Sequence, residues 1–229
     1  MRTPPLRPGR VRTKGSRILI SDLLASPHEI ERRSFQIIGE ELGDRVLDPE
    51  QEPIIKRVIH TTADFSYADS LVFANDAIER GKQAILAGAT IVTDTNMALA
   101  GISKPGLARF GCQAKCFVAD PEAAKMAQEN GTTRSVASVN LAARIESPLI
   151  YAVGNAPTAL LRLAQLIEEG AMKPDLIIGV PVGFVNVVES KERILECDVP
   201  CIVARGRKGG SNVAAAICNA LLYSLTRTE

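Results

Sequence analysis

An excess of charge of either sign is the first thing this chain lacks. Its 27 lysines and arginines stand against 26 aspartates and glutamates, a formal net charge of +1. No field of that size favours nucleic acid or an anionic membrane as a general partner. No apolar run approaches the roughly 20 residues of a membrane span. No charged-then-apolar leader is present either, and we expect a cytoplasmic protein. Five cysteines, an odd number without an export signal, fit reduced thiols better than a disulfide framework. Cys112/Cys116 and Cys197/Cys201 share a three-residue gap that zinc sites sometimes use, but each pair falls in or beside an expected strand, so we read buried thiols and no metal. The nucleotide signatures Gly-x-x-x-x-Gly-Lys-Ser/Thr and Gly-x-Gly-x-x-Gly are missing. So are the Gly-x-Ser-x-Gly elbow and the His-Glu-x-x-His pair, which argues against common hydrolases.

What is present is one repeated pattern. A chain of 229 residues with 46% apolar content can bury one substantial core, so we expect a single α/β domain over residues 18–229. Residues 1–17 differ: Arg2, Arg7, Arg10, Arg12, Lys14 and Arg17 are interleaved with proline and glycine. Without aromatics to stack bases, this stretch reads as a mobile, solvated basic arm. The organising unit runs from Leu149 to Phe184. Leu149 to Val153 is a buried strand, Gly154-Asn155-Ala156-Pro157 a tight turn, and Pro157 the first residue of a helix ended by Gly170. Leu176 to Pro181 is a second buried strand, closing in Val182-Gly183-Phe184. A right-handed crossover places both glycine turns at one sheet edge, where open α/β proteins bind ligands.

Strands are also expected at Ala89 to Asp94, Cys112 to Val118 and Cys201 to Ala204, with helices between them. Five strands alternating with helices indicate a doubly wound, mainly parallel, flavodoxin-like sheet in three α/β/α layers. Ser26-Pro27-His28-Glu29 is a capping box opening a helix whose apolar side is Ile30, Ser34, Ile37, Ile38 and Leu42. Spacing alone makes Ser34 a hydroxyl bonded back to its own helix. A second helix after Asp48-Pro49 buries Ile54, Ile55, Val58 and Ile59 and carries His60 near its last turn. Such a histidine is either a C-terminal cap or a general acid, since the negative helix end favours imidazolium. Arg57, one turn earlier, opposes that by repulsion and offers a fork to a carboxylate. The outlet Gly206 to Ser211, basic and glycine-rich before a helix, is either an anion cradle or a tight turn.

Six stretches in order then carry a resemblance: Arg57 to Phe65, Thr93 to Leu99, Thr133-Arg134-Ser135, Gly154 to Leu160, Gly179 to Val185 and Gly206 to Asn212. Together they closely resemble the precorrin-8X methylmutase family over roughly Asp22 to Leu225. The resemblance implies an isomerase of cobalamin biosynthesis that moves a methyl group between adjacent carbons of ring C of precorrin-8 or its cobalt form. The stretches around His60 and Gly206 look more like the cobalt-dependent branch. It implies His60 as catalytic acid, with Ser34 and Arg57 contacting substrate. It extends the binding set to Thr61, Asp94, Thr95, Met97, Thr133, Arg134, Gly154, Asn155, Pro157, Thr158, Pro181, Gly183, Phe184, Arg205, Lys208, Gly209, Gly210 and Ser211. A methyl shift on a conjugated macrocycle needs a proton rather than a nucleophile or redox group, so no cofactor is expected. The rim acetates and propionates of a corrinoid call for many N–H donors and a few cations. The family also implies a homodimer with sites near the subunit contact. Two features depart from it: the basic arm, and Asn186 where relatives commonly carry glycine. A corrinoid carrier or a nucleotide-binding or phosphosugar-binding α/β protein are the readings from other classes.

Overall fold

The computed structural model describes residues 26–226; the expected basic arm at residues 1–17 lies outside them. Helix α1 (Pro27–Leu42) opens on the capping box, with the Ser26 hydroxyl accepting from the Glu29 N–H and the Glu29 carboxylate accepting from the Ser26 N–H. Two donors that a helix start leaves open are thereby satisfied. Its expected buried side is only half realised. Ile38 and Leu42 are buried, whereas Ile30 is 54% and Ile37 44% exposed, because α1 lies on the outside of the molecule and packs only its second half inward. Helix α2 (Glu52–Thr62) buries Ile54, Ile55, Val58 and Ile59 as its spacing indicates, and stops where Ala63 turns left-handed at φ 53°.

The chain continues through α3 (Tyr67–Ser70), β1 (Leu71–Ala74), α4 (Ala77–Leu86), β2 (Thr90–Thr93), α5 (Asn96–Gly101), α6 (Lys104–Arg109), β3 (Gln113–Lys115), α7 (Pro121–Glu129) and α8 (Arg134–Ala142). Then come β4 (Leu149–Val153), α9 (Pro157–Glu168), β5 (Leu176–Gly179), α10 (Val187–Leu195), β6 (Cys201–Ala204) and α11 (Ser211–Ser224).

The sheet has six strands rather than five, in the order β1-β6-β5-β4-β2-β3. The additional strand, β1, is antiparallel to β6, and every other pair is parallel. It escapes sequence reading because it has four residues, too few for a period, and only Leu71 is fully buried. The five parallel strands stand as second, first, third, fourth and fifth, the doubly wound order whose direction reverses between β2 and β4. Edge strand β3 is shorter than expected, and Thr95 caps α5, with its hydroxyl accepting from the Ala98 N–H.

Alternation along β4 divides the core. Ile150 and Ala152 face the layer of α2, α4, α5 and α11, while Leu149, Tyr151 and Val153 face α8, α9 and α10. Both faces of the strand are covered, which is why it reads as a continuous apolar run. Helix α11 is buried through most of its length, from Val213 to Leu222. Asn186 holds a left-handed conformation at φ 56° just before α10. Asparagine is among the few side chains that tolerate it, which accounts for this residue at the turn.

Candidate functional site

Strands β2, β4, β5 and β6 end at one edge, and their outlets assemble around a buried carboxylate. Asp94, just past β2, accepts from the Gly154 N–H through Oδ1 at 2.9 Å, and from the Asn155 and Ala156 N–H groups through Oδ2 at 2.8 and 2.7 Å. Its residue surface is 2% exposed. Burial raises its carboxyl above the usual range, against the pull of the three amides. Asp94, expected as a substrate contact, has both carboxylate oxygens engaged by backbone at the point where strand order reverses. The turn it shapes touches the β6 outlet. A Cβ on Gly154 would lie 2.6 Å from the Ser211 Cα, and Thr95 Oγ1 sits 2.7 Å from Ser211 Oγ. On the opposite flank Thr133 caps α8, with Thr158 Oγ1 at 3.3 Å. Asn155, Arg134 and Met97 are exposed, and Pro157 is the first residue of α9.

The outlets of β5 and β6 are laced together by backbone. The Gly210 N–H donates to Val180 O at 2.9 Å and the Gly183 N–H to Arg207 O at 3.2 Å. A Cβ on Gly209 would stand 2.0 Å from Val180 O and 2.8 Å from Pro181 O. Neither atom can yield without moving a strand end. We therefore expect Gly209→Ala to cost about 1–3 kcal/mol, the usual range for overpacking, read as a lower melting temperature. An unchanged melting curve would show that the two loops are free to part.

Cations of the β6 outlet already have partners. Lys208 Nζ meets Asp64 Oδ2 at 2.6 Å and Ser66 Oγ at 2.9 Å, and Arg205 meets Glu192 at 3.2 Å. The Lys208 ammonium, followed by the Ser66 hydroxyl, holds the Asp64 carboxyl below its usual range. A lowered pKa makes this contact complete above the ordinary aspartate range and lost only as pH falls through the lowered value. The Arg207 guanidinium lies 5.5 Å over the Phe184 ring, and Phe184 is 82% exposed. With Val182 and Val185 it forms an apolar lip on this edge.

His60 belongs to a second group, on the flank of α2. Its ring is exposed and stacks on Phe35, with centroids 5.4 Å apart and planes 19° from parallel. With Pro27, His28, Ile30 and Glu31 it lines a groove of about 400 Å³. Arg57, expected as an open fork, is already engaged: Nη1 lies 2.5 Å from Glu31 Oε1, and the guanidinium sits between the rings of Phe35 and Tyr223, at 4.8 and 5.1 Å. Ser34 Oγ donates to Ile30 O at 2.9 Å, the local bond that spacing indicates, and Thr61 Oγ1 donates to Arg57 O at 3.0 Å. The two groups meet through Asp64, four residues beyond His60 and bonded to Lys208. Sequence reasoning missed Glu31, Phe35, Asp64 and Tyr223. Two of them carried a signal: Phe35, an aromatic next to Ser34 on the same helix, and Asp64, inside the Arg57 to Phe65 stretch.

A family model described as precorrin-8X methylmutase matches residues 29–224. The chain belongs to the precorrin-8X methylmutase family. It is 47% identical to the cobalt-precorrin-8 methylmutase of Salmonella typhimurium across 88% of this chain and 97% of that one. To the precorrin-8X methylmutase of a Sinorhizobium species it is 35% identical, across 87% and 96%. A crystal structure of the precorrin-8X methylmutase from Thermus thermophilus superposes with a TM-score of 0.79 at 40% identity, covering 86% of this chain and 97% of that chain. The activity is that of a methylmutase, an isomerase of cobalamin biosynthesis. All five cysteines are unpaired, and burial raises the thiol of Cys201 to about 11 and that of Cys218 to about 12. Among the described residues no group of three or more His, Cys, Asp or Glu is placed to hold a metal.

Proposed function

We propose that this methylmutase acts on cobalt-precorrin-8 or precorrin-8X, moving a methyl group between adjacent carbons of ring C to give cobyrinate or hydrogenobyrinate, with His60 as general acid. The observation that carries the reading is the state of His60: an exposed imidazole, braced on one face by Phe35, with neither ring nitrogen bonded to any described residue. A proton delivered to a ring nitrogen of the macrocycle is the one transfer the rearrangement needs, and an unengaged imidazole is built to supply it. The cobalt form is favoured because relatives named for it span 36% to 47% identity, whereas those named precorrin-8X methylmutase stand at 35%, 37% and, for the Thermus thermophilus structure, 40%.

In this reading the rim carboxylates of the corrinoid meet the open amides of the Gly206–Ser211 outlet, with Arg134, Arg205 and Lys208 as cations. The apolar lip of Val182, Phe184 and Val185, together with exposed Met97, takes the macrocycle itself. A ligand of that size exceeds the groove beside His60, which agrees with a homodimer whose site lies near the subunit contact; we read the protein as cytoplasmic. The single sheet running through the described residues supports one methylmutase domain over residues 18–229. Incubating the protein with each substrate form and following the visible spectrum of the product tests the reaction directly. No spectral change with either form would end the proposal.

Arg57 has a separate expected outcome. A substrate carboxylate reaching this guanidinium must displace Glu31, so Arg57→Ala removes both the contact and the sandwich that holds Phe35. We expect product affinity to weaken by roughly 10-fold or more, in line with about 1.5–3 kcal/mol for a charge-assisted bond, and turnover to fall less. Unchanged product affinity in a folded Arg57→Ala protein would remove Arg57 from the site.

A further inference from the structure

Lys191 projects from α10 into the interior, and its residue surface is 0% exposed. Its ammonium donates to Gly206 O and Lys208 O, both at 2.8 Å. Burial pushes its pKa down to about 8, with Glu192 opposing. Two neutral carbonyls replace water incompletely around an ammonium, and apolar side chains of similar volume are commonly no less stable at such positions. Core stability alone therefore gives little reason for a lysine here.

The peptide planes of the β6 outlet supply one. No peptide bond is cis among the described residues, and in a planar trans peptide the N–H points opposite to the C=O. The carbonyls of Gly206 and Lys208 are turned onto Lys191, so the N–H groups of Arg207 and Gly209 point the other way, out of the interior. The Arg207 carbonyl accepts from the Gly183 N–H, which turns the Lys208 N–H away from the β5 outlet. None of these three N–H groups has an acceptor among the described residues. Consecutive open N–H groups of this kind attract anions.

We propose that Lys191 is a positioning residue: by drawing the Gly206 and Lys208 carbonyls inward, it keeps the outlet's N–H groups presented to a carboxylate of the substrate. The inference rests on reading Gly206–Ser211 as a carboxylate cradle, and it adds a residue that never touches substrate. Without the ammonium both carbonyls lose their partner and turn toward water, and the N–H groups behind them turn away from the ligand.

The test is Lys191→Met, which keeps the length of the stem and removes only the charged donor. We expect a folded protein whose KM and product dissociation constant both rise about 10- to 100-fold, with kcat within about threefold of wild type, the signature of lost uniform binding. Ser211→Ala and Lys208→Met are measured in parallel. If these two leave product affinity unchanged, the cradle reading fails. If they weaken it and Lys191→Met does not, the cradle stands and the positioning role is overturned. Should Lys191→Met not fold, Lys191→Leu, which also lacks a donor but has a shorter side chain, carries the same comparison. Failure of both to fold assigns Lys191 to stability and also overturns the proposal.

Discussion

His60→Ala should lower the single-turnover rate by about 10²–10⁴, the usual worth of general acid–base catalysis, while the dissociation constant for cobyrinate stays within a few-fold of wild type. The split follows from what the ring touches. Its contact with the fold is a stack on Phe35, whereas the Glu31–Arg57 pair and the Lys208–Asp64 contact are made by other side chains. Truncation therefore removes the proton donor without releasing α1 or the glycine outlet. A general acid must hold a proton when the substrate arrives, and the mutant side chain has none to give. His60→Asn keeps a polar group of similar reach and separates loss of the proton from loss of a hydrogen bond. Rate and affinity both near wild type would exclude proton delivery by His60. A collapse of affinity together with rate would make it a binding residue, and the proton would have to come from elsewhere.

How much of this was legible in the sequence depends on whether the deciding contact is local. The unit from Leu149 to Phe184 was readable because β4 and β5 are buried on both faces and the turn between them is set by Gly154 and Pro157. The capping box at Ser26 was readable because all its partners lie within four residues. Strand β1 was not, since its place is fixed by pairing with β6, 130 residues further on, through contacts such as Leu71 with Ala204. The apolar side of α1 was only half right: periodicity tells which residues share a face but not how much of that face meets the core. Charged residues were the hardest. Arg57 and Lys208 carry the same chemistry whether they await a ligand or hold Glu31 and Asp64, and nothing in their own stretches reveals those partners. Lys191 drew no notice at all, because a lysine on an amphipathic helix ordinarily faces water.

Asp94 is the clearest case, and it carries the largest stability effect we expect. Asp94→Ala leaves the N–H groups of Gly154, Asn155 and Ala156 without their acceptor, and the first and last of these bonds are buried. A buried donor left unsatisfied costs about 1–3 kcal/mol. Water can reach the Asn155 N–H and some relaxation will occur, so we expect about 3–5 kcal/mol in total rather than three full penalties. For a chain of this size that corresponds to a fall in melting temperature of roughly 6–20 °C. Asp94→Asn should cost less, since one oxygen still accepts, but its NH₂ group must face an N–H across the turn. The measurement that decides between roles is melting temperature beside product affinity, taken on the same two proteins. If Asp94 were a direct substrate ligand, affinity would fall while the melting curve stayed in place. If it organises the Gly154 turn, the melting temperature falls first and any weakening of affinity scales with it, because the turn that the carboxylate holds packs directly against Ser211 of the outlet facing the substrate.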